Sequence, residues 1–272
     1  MTGRASASAR AAAATSRATL EPSRAAELSG SLAARPARDA DAGTLNFIFH
    51  HHLALADGAT PGAAIGAMLP DLFRMVARSA RATKAVIEQV PVEASLLQGM
   101  RHHLEVDAWF HDTQAFHEGE AHTRDALRET MIARAPLFAH VVLEMALDGA
   151  LIRRHRAALR ASVAGGIEGR QDDTLAALRA VSRGRTTAFE EALFIRVLAG
   201  VQSFALPDGY ANPRGLAERL QGIRRRFGFE PLTRDEGERL LRALETIAAV
   251  ADPLVVELES LWARDSLGTR AT

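Results

Sequence analysis

The chain contains no cysteine, which excludes disulfide bonds and thiolate metal ligands. Any bound metal ion must therefore be held by histidine, aspartate or glutamate. The formal net charge is zero, so nothing general in the charge favours nucleic acid or a membrane surface as a partner. No apolar run approaches the roughly 20 residues that a membrane-spanning helix needs. We therefore expect neither nucleic acid nor a membrane as a partner.

Signals for β-structure are also scarce. Aromatic residues make up only 5% of the chain, and runs of β-branched residues with alternating polarity are hard to find. Alanine, arginine, leucine and glutamate dominate, and all four favour helices. Hydrophobic residues make up 47% of the chain, which is ample for a core. The composition predicts an all-α protein.

The N-terminal segment has a different composition from the rest. Residues 1–43 are rich in alanine, arginine and serine and are predicted to form a disordered tail. They lack the hydrophobic region of a secretory signal, so we expect a cytoplasmic protein. Because no acidic residue precedes Glu21, an organellar transit peptide is the alternative interpretation of this tail.

Residues 44–272 are predicted to form a single helical domain with a site-bearing half, 44–162, and a structural half, 163–272. Carboxylates in the second half mostly alternate with arginines, which is typical of solvated helix faces. In the first half, capping and proline signals predict a helix from Thr60-Pro61 to about residue 79, broken or bent at Pro70. Further helices are predicted at 92–119, 123–135, 136–162, 171–183, 187–205, 213–228 and 233–264.

Histidines are confined to the first half. All ten lie between residues 50 and 155, and the rest of the chain has none. Histidine is the commonest metal ligand and proton carrier near neutral pH. This clustering among apolar helical segments indicates one chemical site in the first half of the fold.

One candidate stripe lies on the helix predicted to begin at Pro136. His140, Glu144 and Asp148 are spaced four residues apart and therefore share one helix face. Their neighbours are mostly apolar, which favours an inward-facing stripe, and buried carboxylates need protons, cations or a metal ion. The alternative is an amphipathic helix whose polar stripe faces water.

A second stripe lies on the helix predicted over 92–119. His103, Asp107 and His111 are also four residues apart, and such a nitrogen–carboxylate–nitrogen set suits a first-row metal ion. Alternatively one residue is the ligand and Asp107 orients a histidine. The simplest alternative is a histidine hydrogen-bonded to a carboxylate one turn away.

Two further features add weaker signals. His50, His51 and His52 are consecutive, so at most two of them can face one site on a helix. Asp71 follows Pro70 in an apolar run, where an aspartate is commonly a cap or turn residue but can also be a ligand. Sequence motifs of nucleotide-binding loops, serine hydrolases, HExxH metalloproteases and di-iron bundles are absent. Chemistry based on metal-activated water is the class that remains.

Four segments, in order, resemble the acyl carrier protein phosphodiesterases, all-helical metal hydrolases distantly related to HD-domain phosphohydrolases. They resemble the family patterns Met-Asn-Phe-Leu-Ala-His-x-His-Leu-Ala, Gly-Asn-Leu-Leu-x-Asp-Phe-x-Arg, Gly-Ile-x-x-His-Arg-x-Ile-Asp-x-x-Thr-Asp and Leu-Asp-x-x-x-Asp-His-Phe-Leu. The corresponding segments are 45–54 (LNFIFHHHLA), 66–74 (GAMLPDLFR), 99–111 (GMRHHLEVDAWFH) and 143–151 (LEMALDGAL).

The resemblance implies an HD-like helical fold and a metal-dependent phosphoesterase. Its substrate would be an acyl carrier protein or a small phosphodiester, cleaved at a phosphodiester or phosphopantetheine-type bond. The resemblance implies that a divalent Mn, Fe or Mg ion is held by Asp71, His103, Asp107, Asp148 and His50. The expected participants in catalysis are His50, Asp107, His111, His140 and Glu144.

Three positions depart from the family pattern. Ala67 replaces an asparagine, His111 replaces an aspartate, and Gly149 replaces a histidine. These changes favour an alternative function, a non-catalytic helical protein of the same fold that binds a metal ion structurally or binds a partner protein. Convergence of the metal-ligand candidates in one cavity is the observation that separates the two interpretations.

Overall fold

The computed structural model describes residues 46–270, with side chains to residue 266. This part of the chain is helical and contains no β-strand, so the all-α prediction is confirmed. The predicted tail, residues 1–43, lies outside the described residues. Whether the helices share an HD-like arrangement stays a prediction.

Eleven α-helices and two 3-10 turns are found in the described range. The 3-10 turns are Ala135–Phe138 and Gly209–Ala211. The helices are α1 (Phe47–Ala56), α2 (Pro61–Val76), α3 (Lys84–Ile87), α4 (Ala94–Asp112), α5 (Gln114–Glu129), α6 (Ala139–Ile167), α7 (Gln171–Val181), α8 (Ala188–Gln202), α9 (Ala205–Asp208), α10 (Pro213–Arg226) and α11 (Arg234–Arg270).

Helix starts follow their capping residues. The Thr60 side chain accepts a hydrogen bond from the Ala63 amide at 3.3 Å, with Pro61 at the first helical position of α2. At the start of α11, Thr233 and Glu236 exchange side chain-to-backbone hydrogen bonds and form a capping box.

The prediction of one long helix over residues 92–119 is wrong. The chain breaks at Thr113, whose extended backbone ends α4 and whose side chain accepts a hydrogen bond from the Phe116 amide to start α5. The helix predicted over 123–135 is therefore the second part of α5. The prediction missed this break because the polar periodicity continues across Thr113, whereas the cap depends on a single local hydrogen bond.

Pro70 was predicted to break or bend its helix, and Pro136 was predicted to begin one. Pro70 does not break its helix, because α2 continues from Pro61 to Val76. Pro136 starts a 3-10 turn, and the α-helix proper begins at Ala139. Proline has no amide hydrogen, but the first positions of such a turn make no intrahelical hydrogen bond through that group, so no bond is lost at Pro136.

Helix α6 is the centre of the core and packs against α1, α2, α5 and α11. Its segment with the preceding turn, Ala135–Ile167, is long and apolar enough to cross a membrane, but 83% of its apolar window is buried inside the fold. This burial is typical of a core helix. At His155 the backbone leaves helical geometry, with φ −127° and ψ 21°, and divides α6 into two parts.

Helices α2 and α4 approach closely because glycines face each other at their contact. A β-carbon placed on Gly99 would lie 1.9 Å from the Ala63 carbonyl oxygen, and one on Gly66 would lie 2.3 Å from that of Leu96. Both distances are far inside van der Waals contact. The missing side chains therefore set the separation of these two helices.

We predict that Gly99→Ala destabilises the protein by about 1–3 kcal/mol or more, because the added methyl group meets main-chain atoms that cannot rotate away. Gly165→Ala is the matched control, since its β-carbon would meet nothing within 4 Å. That change should stabilise α6 by about 0.5–1 kcal/mol through lower backbone entropy. Urea unfolding monitored by circular dichroism measures both. Equal stability of Gly99→Ala and the wild type would contradict the close contact of α2 and α4.

Candidate metal centre

The three consecutive histidines of α1 point in different directions. His50 is fully buried beside α4, and the His51 ring nitrogen lies 2.9 Å from the Ser162 hydroxyl. His52 lies on the opposite side of α1, with its Nε2 2.6 Å from a carboxylate oxygen of Glu259. Only His50 therefore joins the central site, in agreement with helical geometry.

His50, His103 and Asp107 form the first of two groups in this region. One potential ligand atom from each residue lies within 4.8 Å of those of the other two. The rings of His50 and His103 are 4.0 Å apart between centroids. His50 can belong to this group because the N-terminal half of α1 is buried.

The orientation of His103 is fixed by a main-chain contact. Its Nδ1 lies 2.9 Å from the Ala67 carbonyl oxygen on α2, which can only accept a hydrogen bond. Burial lowers the pKa of His103, so the ring is neutral and its single proton is on Nδ1. The Nε2 atom then carries a lone pair, and it lies 3.8 Å from a carboxylate oxygen of Asp71.

Two electron-pair donors therefore face each other in the core, the imidazole Nε2 of His103 and the carboxylate of Asp71. Both side chains are almost completely buried. Two acceptors that face each other repel unless a proton or a cation lies between them. This arrangement fits a divalent cation.

His50 adds another nitrogen that could donate an electron pair to a cation. Burial, and next the neighbouring His103, hold the pKa of His50 well below its ordinary value, so the ring is neutral. Neither of its ring nitrogens has a hydrogen-bond partner among the described residues. A buried imidazole without a partner is unfavourable by about 1–3 kcal/mol, and coordination of a metal ion by its lone pair would satisfy one of the two nitrogens.

Asp107 supplies negative charge at the mouth of this group. Burial raises its pKa, but the contact with His111, and next the neighbouring imidazoles of His103 and His50, outweigh that effect and hold the pKa well below its usual range. Asp107 is therefore an anion at neutral pH. The distance between its Oδ1 and the His111 Nε2 is 3.2 Å.

His111, His140 and Glu144 form the second group. The Glu144 Oε1 lies 3.1 Å from the His140 Nε2 and 3.7 Å from the His111 Nε2, and the two imidazole rings stack. Glu120 on α5 lies 3.9 Å from the His140 Nδ1. Glu120 was not predicted from the sequence, because it lies in a charged stretch typical of a surface helix.

The second group holds a proton. Burial lowers the pKa of His140, but the nearby carboxylates of Glu144 and Glu120 outweigh it and raise the pKa to about 10. The ring of His140 is therefore protonated near neutral pH. The same three side chains also have the spacing of a metal site, in which a cation would take the place of this proton.

Asp148 has a role that the sequence did not indicate. Its two carboxylate oxygens accept hydrogen bonds from the backbone amides of Ile48, at 3.1 Å, and Phe49, at 2.8 Å. It therefore caps the N-terminus of α1 from α6. Burial raises its pKa well above the ordinary value, against the effect of these two amides. Asp148 lies outside both groups of converging side chains, and its place among the metal ligands stays a prediction.

Asn46, the residue before α1, was also not predicted. It is completely buried, and neither its amide nitrogen nor its amide oxygen has a hydrogen-bond partner among the described residues. A buried, unsatisfied amide of this kind commonly contacts a ligand or an ordered water. It lies at the N-terminus of α1, the helix that carries His50.

Comparison of the chain with known proteins gives no match to a protein-family model, to a curated protein or to a solved structure.

We predict that Asp148→Ala destabilises the protein by about 2–5 kcal/mol, because two buried amides at the start of α1 lose their acceptor. Asp148→Asn retains one acceptor oxygen and should lose less. The exposed Asp112→Ala is the control and should change stability by less than about 0.5 kcal/mol. Thermal unfolding is measured in chelator and in excess Mn²⁺. A loss that appears only with Mn²⁺ would show that Asp148 is a ligand and not a cap.

Proposed function

We propose that the protein is a metal-dependent phosphoesterase whose ion is held by His50, His103, Asp107 and Asp71. The observation that carries this proposal is the buried pair of acceptors formed by the His103 Nε2 and the Asp71 carboxylate. Beside it lies His50, which has no hydrogen-bond partner among the described residues. The mixed imidazole and carboxylate donors suit Mn²⁺, Fe²⁺ or Mg²⁺.

When bound, such an ion lowers the pKa of a water molecule and polarises a phosphoryl oxygen. The protein contributes a rigid arrangement around it. The Ala67 carbonyl holds the His103 ring with its Nε2 inward, as carbonyls commonly do for metal-binding histidines. Asp107 is kept anionic and offsets positive charge at the mouth of the site.

Access to the site is from one side. The side chains of Asp107, His111 and His140 are 31%, 25% and 35% exposed, whereas Asp71 and Glu144 are completely buried. A substrate would therefore approach along the side chains of α4 and α6 that reach solvent. The reacting phosphoryl group would meet Asp107 and the second group before the buried ligands.

The protonated His140 can act as the general acid. The Nε2 of its ring faces Glu144 and the Nδ1 faces Glu120. His111 lies between this ring and the proposed metal ligand Asp107. Transfer of this proton to the leaving oxygen would neutralise the alkoxide that forms when the phosphoester bond breaks. Glu144 would then stabilise the orientation of the neutral ring.

The substrate class rests on the four sequence segments that resemble the acyl carrier protein phosphodiesterases. We propose a phosphodiester or a phosphopantetheine-type bond, on an acyl carrier protein or a small molecule, and a cytoplasmic location. The exposed edge formed by Asp107, His111 and His140 is compatible with a phosphoryl group presented by a larger partner.

One observation favours the alternative of a protein that has lost catalysis. A β-carbon at Gly149 would lie 2.1 Å from the Tyr210 carbonyl oxygen, so the histidine of the family pattern does not fit at this position. The core here is built around a glycine. Metal binding without hydrolysis would support this alternative.

Asp107→Asn tests the metal site. The amide is a much weaker ligand than a carboxylate for a hard cation, so bound Mn²⁺ and hydrolysis of bis(p-nitrophenyl) phosphate should both fall steeply. Asp112→Asn, an exposed change on the same helix, should leave both unchanged. Elemental analysis after dialysis gives the metal content, and circular dichroism confirms the helix content. Full metal content in Asp107→Asn would remove Asp107 from the ligands. A wild type that binds Mn²⁺ but hydrolyses nothing would favour the non-catalytic alternative.

His140→Gln tests the general acid. With diphenyl phosphate, whose leaving group needs a proton, we expect kcat to fall by about 10²–10⁴-fold at unchanged metal content. With bis(p-nitrophenyl) phosphate the loss should be much smaller, because p-nitrophenolate leaves without protonation. His122→Gln, at an exposed histidine of α5, is the control. Equal losses on the two substrates would exclude His140 as the proton donor.

A further inference from the structure

A third group of side chains that could bind a metal ion lies outside the central site. His52 on α1, His155 on α6 and Glu259 on α11 each place one potential ligand atom within 4.8 Å of those of the other two. The imidazole rings of His52 and His155 stack, with centroids 5.4 Å apart. These residues come from three different helices, and His52 and Glu259 are 207 positions apart in the sequence.

The backbone at His155 departs from the helix that carries it. Its φ of −127° and ψ of 21° interrupt α6, although no proline lies in this helix. Sharp breaks in helices have local causes. The break lies at the residue that places its imidazole beside His52 and Glu259.

We propose that His52, His155 and Glu259 form a second, solvent-accessible binding site for a zinc-class divalent cation. Two imidazoles and one glutamate, with an open fourth position, are a ligand set typical of Zn²⁺. Imidazole donors favour zinc over magnesium or calcium. This site is independent of the proposed phosphoesterase function and of the ion at His50, His103 and Asp107.

The geometry needs only a small adjustment. The His52 Nε2 and the Glu259 Oε1 are 2.6 Å apart, the distance of a hydrogen bond. Ligands bound tetrahedrally to zinc at about 2.0–2.1 Å lie about 3.3 Å from each other, so the pair must separate by less than about 1 Å. Both side chains are partly exposed, which leaves them free to rotate and gives an ion access.

One nearby charge opposes a cation. Arg154, next to His155, lies close enough to Glu259 to lower the pKa of its carboxyl group, after the larger effect of the hydrogen bond with His52. Its long side chain is exposed and can turn towards solvent. A bound zinc ion would join the first, sixth and last helices and oppose their separation during unfolding.

The test compares zinc binding by the full chain and by variants of this cluster. Chelator-treated protein is dialysed against Zn²⁺, and bound zinc is measured by elemental analysis and by calorimetric titration. Glu259→Gln, which preserves shape, and His155→Ala should each lose one zinc ion per chain, or bind it at least about tenfold more weakly. Glu257→Gln, at an exposed glutamate on the same helix, should bind zinc as the wild type does.

Two further measurements separate this site from the central one. Asp107→Asn should retain the zinc ion at the cluster, and adding Glu259→Gln to it should remove that ion. Zinc should raise the Tm of Asp107→Asn but not that of the double variant, since an ion that binds only folded protein stabilises it. The proposal is overturned if Glu259→Gln binds as much zinc as Glu257→Gln, with the same affinity.

Discussion

The candidate site depends on the distance between α2 and α4. Gly66 and Gly99 allow the backbones of these helices to touch, and the next residue on α2, Ala67, then presents its carbonyl oxygen to the His103 Nδ1. That contact fixes the protonated nitrogen of His103 and turns the other one towards Asp71. The orientation of the His103 ring, which makes its Nε2 a candidate metal ligand, therefore follows from a packing constraint one helical turn away.

Burial of polar groups is the second constraint, and the two groups of side chains meet it in different ways. In the first group the imidazoles of His50 and His103 are neutral, and the His103 Nε2 lies 3.8 Å from the carboxylate of Asp71, a pair that a cation could bridge. In the second group a proton on His140 neutralises Glu144. Asp107 and His111 join the two groups, so a cation and an acidic proton would lie side by side. This combination would suit the phosphoester hydrolysis that we propose.

Spacing within a single helix predicted much of the site. Residues four apart on α4 and α6 share a face, and the contacts between Asp107 and His111 and between His140 and Glu144 follow from that spacing. The same logic correctly limited the number of α1 histidines in the site. The helical composition was also sufficient for the fold class.

Local capping choices and contacts between helices could not be predicted from the sequence. The break at Thr113 is a local hydrogen-bond choice within a continuous polar pattern. Asp148 continues the stripe of His140 and Glu144, but its carboxylate accepts hydrogen bonds from the amides of α1 because that helix begins against α6. Glu120 and the His52–His155–Glu259 cluster are brought together only by packing. Periodicity identifies a face but not what lies opposite it.

The most direct test of the central claim is a crystal structure of the Mn²⁺-loaded protein with anomalous diffraction data. The account predicts an anomalous peak bonded to His50, His103 and Asp107, with Asp71 at or near coordination distance. A Mn²⁺-loaded crystal in which these side chains enclose no peak, and in which the His103 Nε2 instead shares a proton with Asp71, would contradict it.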